Sequence, residues 1–212
     1  MNSFRLFFEQ NSRPRTIAVY AGRFHPFHIG HAGVFKELSR RFGPENTYIA
    51  TSGKVEPEKS PFTFSDKVAM MQAAGIPADH IVEEVSPYMP KNLVERLGLD
   101  QNKDFIVFGI GEKDMAEDPR FSFKPLKSGA KSYFQPYVSG DYQPLGKHGY
   151  IYPVKDINFK VGGQSMKGAT QIRKKYKESN NNERMDIIKT LYPDADERVL
   201  HLVKNIFDHK LK

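Results

Sequence analysis

Two histidines, His28 and His31, bracket Gly30 within the stretch GRFHPFHIGH, Gly22 to His31. Upstream, TIAVYA (Thr16 to Ala21) is a short β-branched apolar run of the kind buried on both faces of a parallel sheet. Downstream, Val34, Phe35, Leu38 and Phe42 recur at helical spacing, with Lys36, Glu37, Arg40 and Arg41 between them. The histidines therefore belong to a loop from strand to helix, at the carboxyl edge of an open sheet, where ligands bind. Lacking a Cβ, Gly22 and Gly30 let an anion approach the backbone, and the free N–H groups and positive dipole end of the helix start favour phosphate. Two imidazoles around Gly30 can then donate to phosphoryl oxygens as charge moves through a transition state. A histidine at a helix start also serves as a plain cap or a surface residue; here strand, glycine turn, paired histidines and helix coincide.

A second chemical segment, KGATQIRKKY (Lys167 to Tyr176), follows the pair Gly162 and Gly163 and opens a strongly basic helix. Thr170 near its start can cap the helix or bind phosphate, and Arg173 one turn later can present a planar fork to phosphates. A basic helix by itself is usually a solvated face, so Lys167, Lys174 and Lys175 are read as steering charges.

GRF-x-PFH-x-GH resembles the HxGH signature of the nucleotidylyltransferase superfamily, and more narrowly the archaeal-type nicotinamide-mononucleotide adenylyltransferases. Around Arg173 the chain is similar to the superfamily's second signature, ISGTxIR or ISSTxxR: Thr170, Ile172 and Arg173 match, while Gly168 and Ala169 replace the usual serine and small residue. KSPFTFSDKVAMM, Lys59 to Met71, resembles the KNPFTxxER segment of the narrower group. There Pro61, Phe62 and Thr63 match, Ser60 stands for asparagine, Asp66 for glutamate and Lys67 for an arginine whose bidentate fork it lacks. FGIGEKD, Phe108 to Asp114, sits where the family places a glycine and an acidic residue near the nucleotide or acceptor, and His25 stands where the resembling enzymes more often carry glutamine or asparagine.

The resemblance implies adenylyl transfer from ATP to a phosphate-bearing acceptor, with nicotinamide mononucleotide the best match, NAD the product and pyrophosphate released. It implies His28, His31 and Arg173 at the reacting phosphate, and Gly22, Arg23, Phe24, Gly30, Gly109, Gly111, Asp114 and Thr170 around the nucleotide. Lys59, Lys67 and Lys124 fall to the acceptor, and Mg2+ arrives with ATP, bridging its oxygens without a dedicated protein metal site. The alternatives are adenylyl or cytidylyl transfer to flavin mononucleotide, phosphopantetheine or a polyol phosphate, or a non-catalytic nucleotide-binding or structural protein that retains the fold.

The elements that must position these residues alternate along the chain. Strands are expected at Thr16 to Ala21, Thr47 to Ser52, Ile81 to Val85, Asp104 to Gly111 and Gly149 to Val154. Helices are expected after the first loop, from Thr63 or Ser65 to Gly75, over Asn92 to Leu97, and from Lys167 to Tyr176. This is the pattern of an α/β protein: a Rossmann-like, doubly wound parallel sheet of about five strands. A C-terminal helical extension follows, Arg184 to Leu191 and Asp196 to His209, after an Asn180 to Asn182 turn. The expected division is a leader over 1–15, a nucleotidylyltransferase domain over 16–178 and the extension over 179–212. In the leader, Phe4, Phe7 and Phe8 form either a short docked helix or a docking leader similar to the Phe-rich starts of large tailed-phage proteins. The connection from Glu112 to His148 is rich in proline and aromatic residues; it reads either as a satellite cluster of rings or as a lid over an acceptor.

A chain of 212 residues can bury one substantial core. Without cysteine it has neither a disulfide framework nor a thiolate metal site, which suits a reducing, cytoplasmic setting. No apolar run approaches the ~18 residues that suggest a membrane span. A net charge of +7 and a pI near 9.4 favour polyanionic partners. ATP and the acceptor satisfy that preference, so nucleic acid is not expected, and self-association is compatible with it.

Overall fold

Strand β1 (Thr16–Gly22) shows how the sheet is buried. Ile17, Val19 and Ala21 point into one apolar layer, while Ala18 and Tyr20 point into the other. The period of two thus becomes an uninterrupted apolar run when both faces are covered. The computed structural model describes residues 13–117, 121–138, 140, 142–155, 157–166 and 168–211. Residues 1–12 of the expected leader, and Lys167, lie outside the described residues.

β1 lies at the centre of a parallel sheet with β2 (Thr47–Thr51), β3 (Ile81–Glu83), β4 (Phe105–Gly111), β5 (Phe134–Pro136) and β6 (Gly149–Val154), in the order β3-β2-β1-β4-β6-β5. The chain winds outward from β1 to β2 on one side and returns to place β4 on the other. The carboxyl ends of β1 and β4 therefore flank the switch point of a doubly wound sheet.

The sheet has six strands where the pattern suggested about five. The extra strand, β5, lies in the connection read as irregular; it is only three residues long and ends in Pro136, too short for alternation to register. That connection also opens with a short helix, Glu112–Glu117, and its rings pack locally: Phe121 lies 5.4 Å from Tyr88 and 5.6 Å from Phe134, which meets Phe108 at 5.6 Å.

Helix α1 (Ile29–Phe42) follows β1 and turns off at Gly43, whose φ of 92° suits a residue without a side chain. α2 (Phe64–Ala73) starts on a reciprocal capping box between Thr63 and Asp66, which settles the cap on Thr63 rather than Ser65. α3 (Lys91–Arg96) and α4 (Glu112–Glu117) are short. β7 (Phe159–Val161) and β8 (Gln164–Met166) form an antiparallel hairpin through Gly162 and Gly163, both at positive φ, as a tight two-residue turn demands. α5 (Ala169–Glu178), α6 (Asn181–Leu191) and α7 (Glu197–Lys210) complete the chain. The Asn180 to Asn182 run is not the connecting turn expected: Asn180 caps α6 in a box with Glu183, and Asn181 and Asn182 are its first turn.

Ile187, Ile188, Leu191, Leu200, Val203 and Phe207 of α6 and α7 share one apolar layer with α1, α2 and α5. Among the described residues no helix is long and apolar enough to cross a membrane.

Candidate active site

The carboxyl ends of β1 and β4 open into a cleft of about 1340 Å³. It is bordered by Gly22, Arg23, Phe24, His25 and His31 from the first segment, by Gly109, Gly111 and Asp114 after β4, and by Thr170 and Arg173 from α5. The two chemical segments thus meet across the switch point.

Aromatic packing shapes the first segment. Phe24 takes a φ of 49°, uncommon for a residue with a side chain, and folds its ring back over the strand end, 5.0 Å from Tyr20 and 5.0 Å from His31. A Cβ on Gly22 would lie 2.8 Å from that ring. Gly30 is needed for a similar reason, because its missing Cβ leaves room for the His28 imidazole at 3.0 Å and for Phe159 at 3.2 Å. Both glycines were expected to make room for an anion; in the structure, side chains fill that space.

His28 caps α1, with Nδ1 accepting from the Gly30 N–H at 3.2 Å, so the neutral ring carries its proton on Nε2. The His31 ring stacks on it with centroids 3.7 Å apart. His28 Nε2 and His31 Nδ1 are buried without a hydrogen-bond partner. Burial lowers the His28 pKa to about 3, and holds His31 well below the ordinary imidazole value, with the neighbouring His28 adding to the effect. At neutral pH the pair is uncharged, and its unmet hydrogen-bonding capacity sits at a helix N-terminus.

Arg173 supplies the fixed charge. Its guanidinium donates to the His25 carbonyl at 2.5 Å and to Thr170 Oγ1 at 3.4 Å. Gly168 caps α5 without a side-chain bond, so Thr170 is not the helix cap, and its hydroxyl belongs with the arginine. His25 is a member of this group that the motifs did not assign. Its Nδ1 accepts from the Phe62 N–H at 3.4 Å, its ring stacks on Phe62, and its Nε2 is buried and unpartnered. Burial, then the positive charges of Lys67, Arg173 and Arg23, lower its pKa to about 3.

The three lysines expected on an acceptor divide. Lys59 borders the cleft. Lys67 does not: it is fully buried, and its ammonium donates to the Ser52 carbonyl and to Thr51 Oγ1, while burial lowers its pKa to about 8. Lys124 is exposed and also lies outside the cleft lining. Gly109 borders the cleft, and a Cβ there would come within 2.4 Å of Leu38, so this glycine also sets how closely α1 packs on the sheet.

Two cleft walls carried no motif. A turn closed by paired backbone bonds between Glu56 and Ser60 brings Lys54, Glu56 and Glu58 to the rim. Opposite, the Val85 to Tyr88 loop is anchored by Glu84, whose buried carboxylate accepts from the Asn92 and Leu93 N–H groups at the start of α3.

Residues 19–119 match the cytidylyltransferase-like family. The nicotinamide-nucleotide adenylyltransferase of Methanolobus tindarius is 37% identical over 57 residues, which are 27% of this chain and 33% of that protein. Over these residues the chain is similar to nucleotidylyltransferases. A bifunctional NMN adenylyltransferase/ADP ribose pyrophosphatase from Francisella tularensis, complexed with AMP and manganese, aligns with a TM-score of 0.53; a second structure of that protein aligns at 0.56. Each is 19% identical and covers 93% of this chain. The chain spans about half of those solved chains, 50% and 51%, and its match covers 33% of the M. tindarius relative. The Rossmann-like α/β fold is common to them.

Proposed function

We propose that this protein transfers an adenylyl group from ATP to a phosphate-bearing acceptor, nicotinamide mononucleotide in the first instance, giving NAD and pyrophosphate. The observation that carries the reading is the stacked, neutral His28–His31 pair at the start of α1, of which His31 borders one cleft with Arg173 while His28 is buried behind it. The name of the M. tindarius relative, and the AMP bound in the F. tularensis structure, support the same chemistry.

In the step itself an acceptor phosphate oxygen attacks the α-phosphorus of ATP. The new O–P bond forms as the bond to the β-phosphate oxygen breaks, and pyrophosphate leaves with that electron pair. The nucleophile is already an anion, so no strong general base is needed. The protein aligns the two phosphates and stabilises the charge that builds on the five-coordinate phosphorus. Imidazole N–H groups of His28 and His31 donate to its oxygens, Arg173 and Thr170 hold the departing phosphates, and backbone N–H groups at Gly22 and Arg23 cradle the triphosphate. Lys59 faces the acceptor.

Among the described residues no cluster of three or more His, Asp or Glu side chains gathers to hold a metal ion. On this reading a divalent ion, Mg2+ in the first instance, would arrive with ATP, and the manganese in the F. tularensis structure accords with a divalent ion. Bound that way, magnesium would neutralise part of the phosphate charge.

Pyrophosphate release from ATP and CTP, each paired with nicotinamide mononucleotide, flavin mononucleotide, phosphopantetheine and a polyol phosphate, tests the reading. Release with ATP and nicotinamide mononucleotide supports it. Preference for another pair reassigns the acceptor or the triphosphate, and nucleotide binding without release by any pair marks a non-catalytic binder.

A further inference from the structure

The C-terminal helices touch the histidine loop at one point that the proposed mechanism leaves unused. Tyr192, which closes α6, is fully buried, and its hydroxyl donates to the Phe27 carbonyl at 2.5 Å, across 165 residues of sequence. Phe27 has no solvent exposure either, so water cannot replace the hydroxyl there. Burial pushes the phenol pKa well above its ordinary value, which keeps the group a donor at every working pH.

The carbonyl that accepts this bond belongs to the peptide leading directly into His28. Turning that peptide plane turns His28, whose extended backbone (φ −155°) and Nδ1 bond to Gly30 set the angle at which its ring meets His31. Phe27 also packs on the pair, with its ring 5.4 Å from that of His31. At the far end Tyr192 is itself held: its N–H donates to the Ile188 carbonyl at 3.0 Å, and its own carbonyl accepts from the Ala195 N–H at 3.2 Å. Apolar contact alone would need only the ring; the hydroxyl adds a directional hold on one peptide of the loop.

We propose that Tyr192 is a positioning residue: by holding the Phe27–His28 peptide it fixes the alignment of the His28 and His31 rings, which makes the C-terminal helices part of the phosphate-transfer site. Its kinetic consequence rests on the adenylyl-transfer reading above; its spectroscopic consequence does not.

The test compares Tyr192→Phe with Val203→Ala, which opens a cavity in α7 and leaves Tyr192 in place. Both are assayed for pyrophosphate release well below their thermal midpoints, and the imidazole C–H resonances of His28 and His31 are followed by NMR in the ligand-free proteins. Tyr192→Phe is expected to lower kcat by ~10-fold or more while KM changes by less than ~3-fold, the mark of lost alignment rather than lost binding. The ring resonances of both histidines shift in this variant and stay in place in Val203→Ala. Unchanged turnover in folded Tyr192→Phe, or an equal loss in both variants, overturns the proposal. If the wild type releases no pyrophosphate with any pair, the transfer reading fails separately, and the resonances decide: unshifted rings in Tyr192→Phe overturn the positioning role and shifted rings support it. Should Tyr192→Phe not fold, the wild-type spectrum is the test. A Tyr192 hydroxyl proton in slow exchange with solvent supports the bond, and its absence overturns it.

Discussion

Acidification from pH 7 to pH 5 is expected to destabilise this protein through its two stacked histidines. In the unfolded chain each imidazole takes a proton near its ordinary pKa of 6.5, whereas in the fold His28 takes one only near pH 3 and burial holds His31 well below 6.5. Below pH 6.5 the unfolded state therefore binds more protons, so stability is greatest above that pH and falls as the solution is acidified, until the folded-state pKa values are reached. Between pH 7 and pH 5 the linkage amounts to ~2 kcal/mol for His28, and His31 adds to it in the same direction. His25, also buried and with its pKa lowered to about 3, adds to the same dependence. Ordinary carboxylates titrate mostly below this window. Urea unfolding followed by circular dichroism reads the effect: with a slope of ~2 kcal/mol per molar, His28 alone lowers the midpoint by ~1 M between the two pH values, and His31 lowers it further. The double variant His28→Asn/His31→Asn removes most of that dependence, because the amide does not titrate. A wild-type midpoint that moves by less than about 0.5 M would refute the reasoning, since the imidazoles would then be charging inside the fold.

His31→Ala should cut pyrophosphate release by ~10²-fold or more with only a modest rise in the Kd for ATP, as for loss of a donor that acts mainly in the transition state; near wild-type turnover would remove His31 from the chemistry. Gly109→Ala places a methyl 2.4 Å from fully buried Leu38, an overpacking that costs about 1–3 kcal/mol; an unchanged thermal midpoint would show that α1 can shift away from the sheet. If, as proposed, the metal arrives with the triphosphate, chelation of divalent ions should abolish pyrophosphate release while leaving the far-ultraviolet circular dichroism spectrum intact; loss of the spectrum would instead reveal a structural metal.

What the sequence made legible was local. GRFHPFHIGH announced a strand, a turn and a helix because all three lie within a few residues of one another, and His28 caps α1 as a side chain at a helix start should. Lys59 and Lys67 show where legibility ended. They are the same residue type in the same segment, yet one borders the cleft and the other is buried with its ammonium on Thr51 and the Ser52 carbonyl; the difference comes from where the fold brings Lys67 against the end of β2, which spacing along one segment does not encode. β5, β7 and β8 escaped notice because three residues are too few for a period of two to appear. The bonds from Arg173 to the His25 carbonyl and from Tyr192 to the Phe27 carbonyl use backbone acceptors, which leave no side-chain signature at the receiving end.

The burial that silences the imidazoles also divides the work of the site. A protonated His28 or His31 would carry the cost of desolvating the ion, to which the neighbouring His28 adds at His31; the repulsion of Arg173 and Arg23 falls on His25. By keeping both rings neutral, the fold leaves positive charge to guanidinium groups, which do not lose it in the physiological range, and in the proposed transfer the imidazoles would act as uncharged donors of fixed direction. Direction is then the quantity the structure must protect. The His28 cap on Gly30, the close ring stack, the Phe24 ring over Gly22 and the Tyr192 bond to the loop each restrict how the rings can turn, although only some of these groups border the cleft.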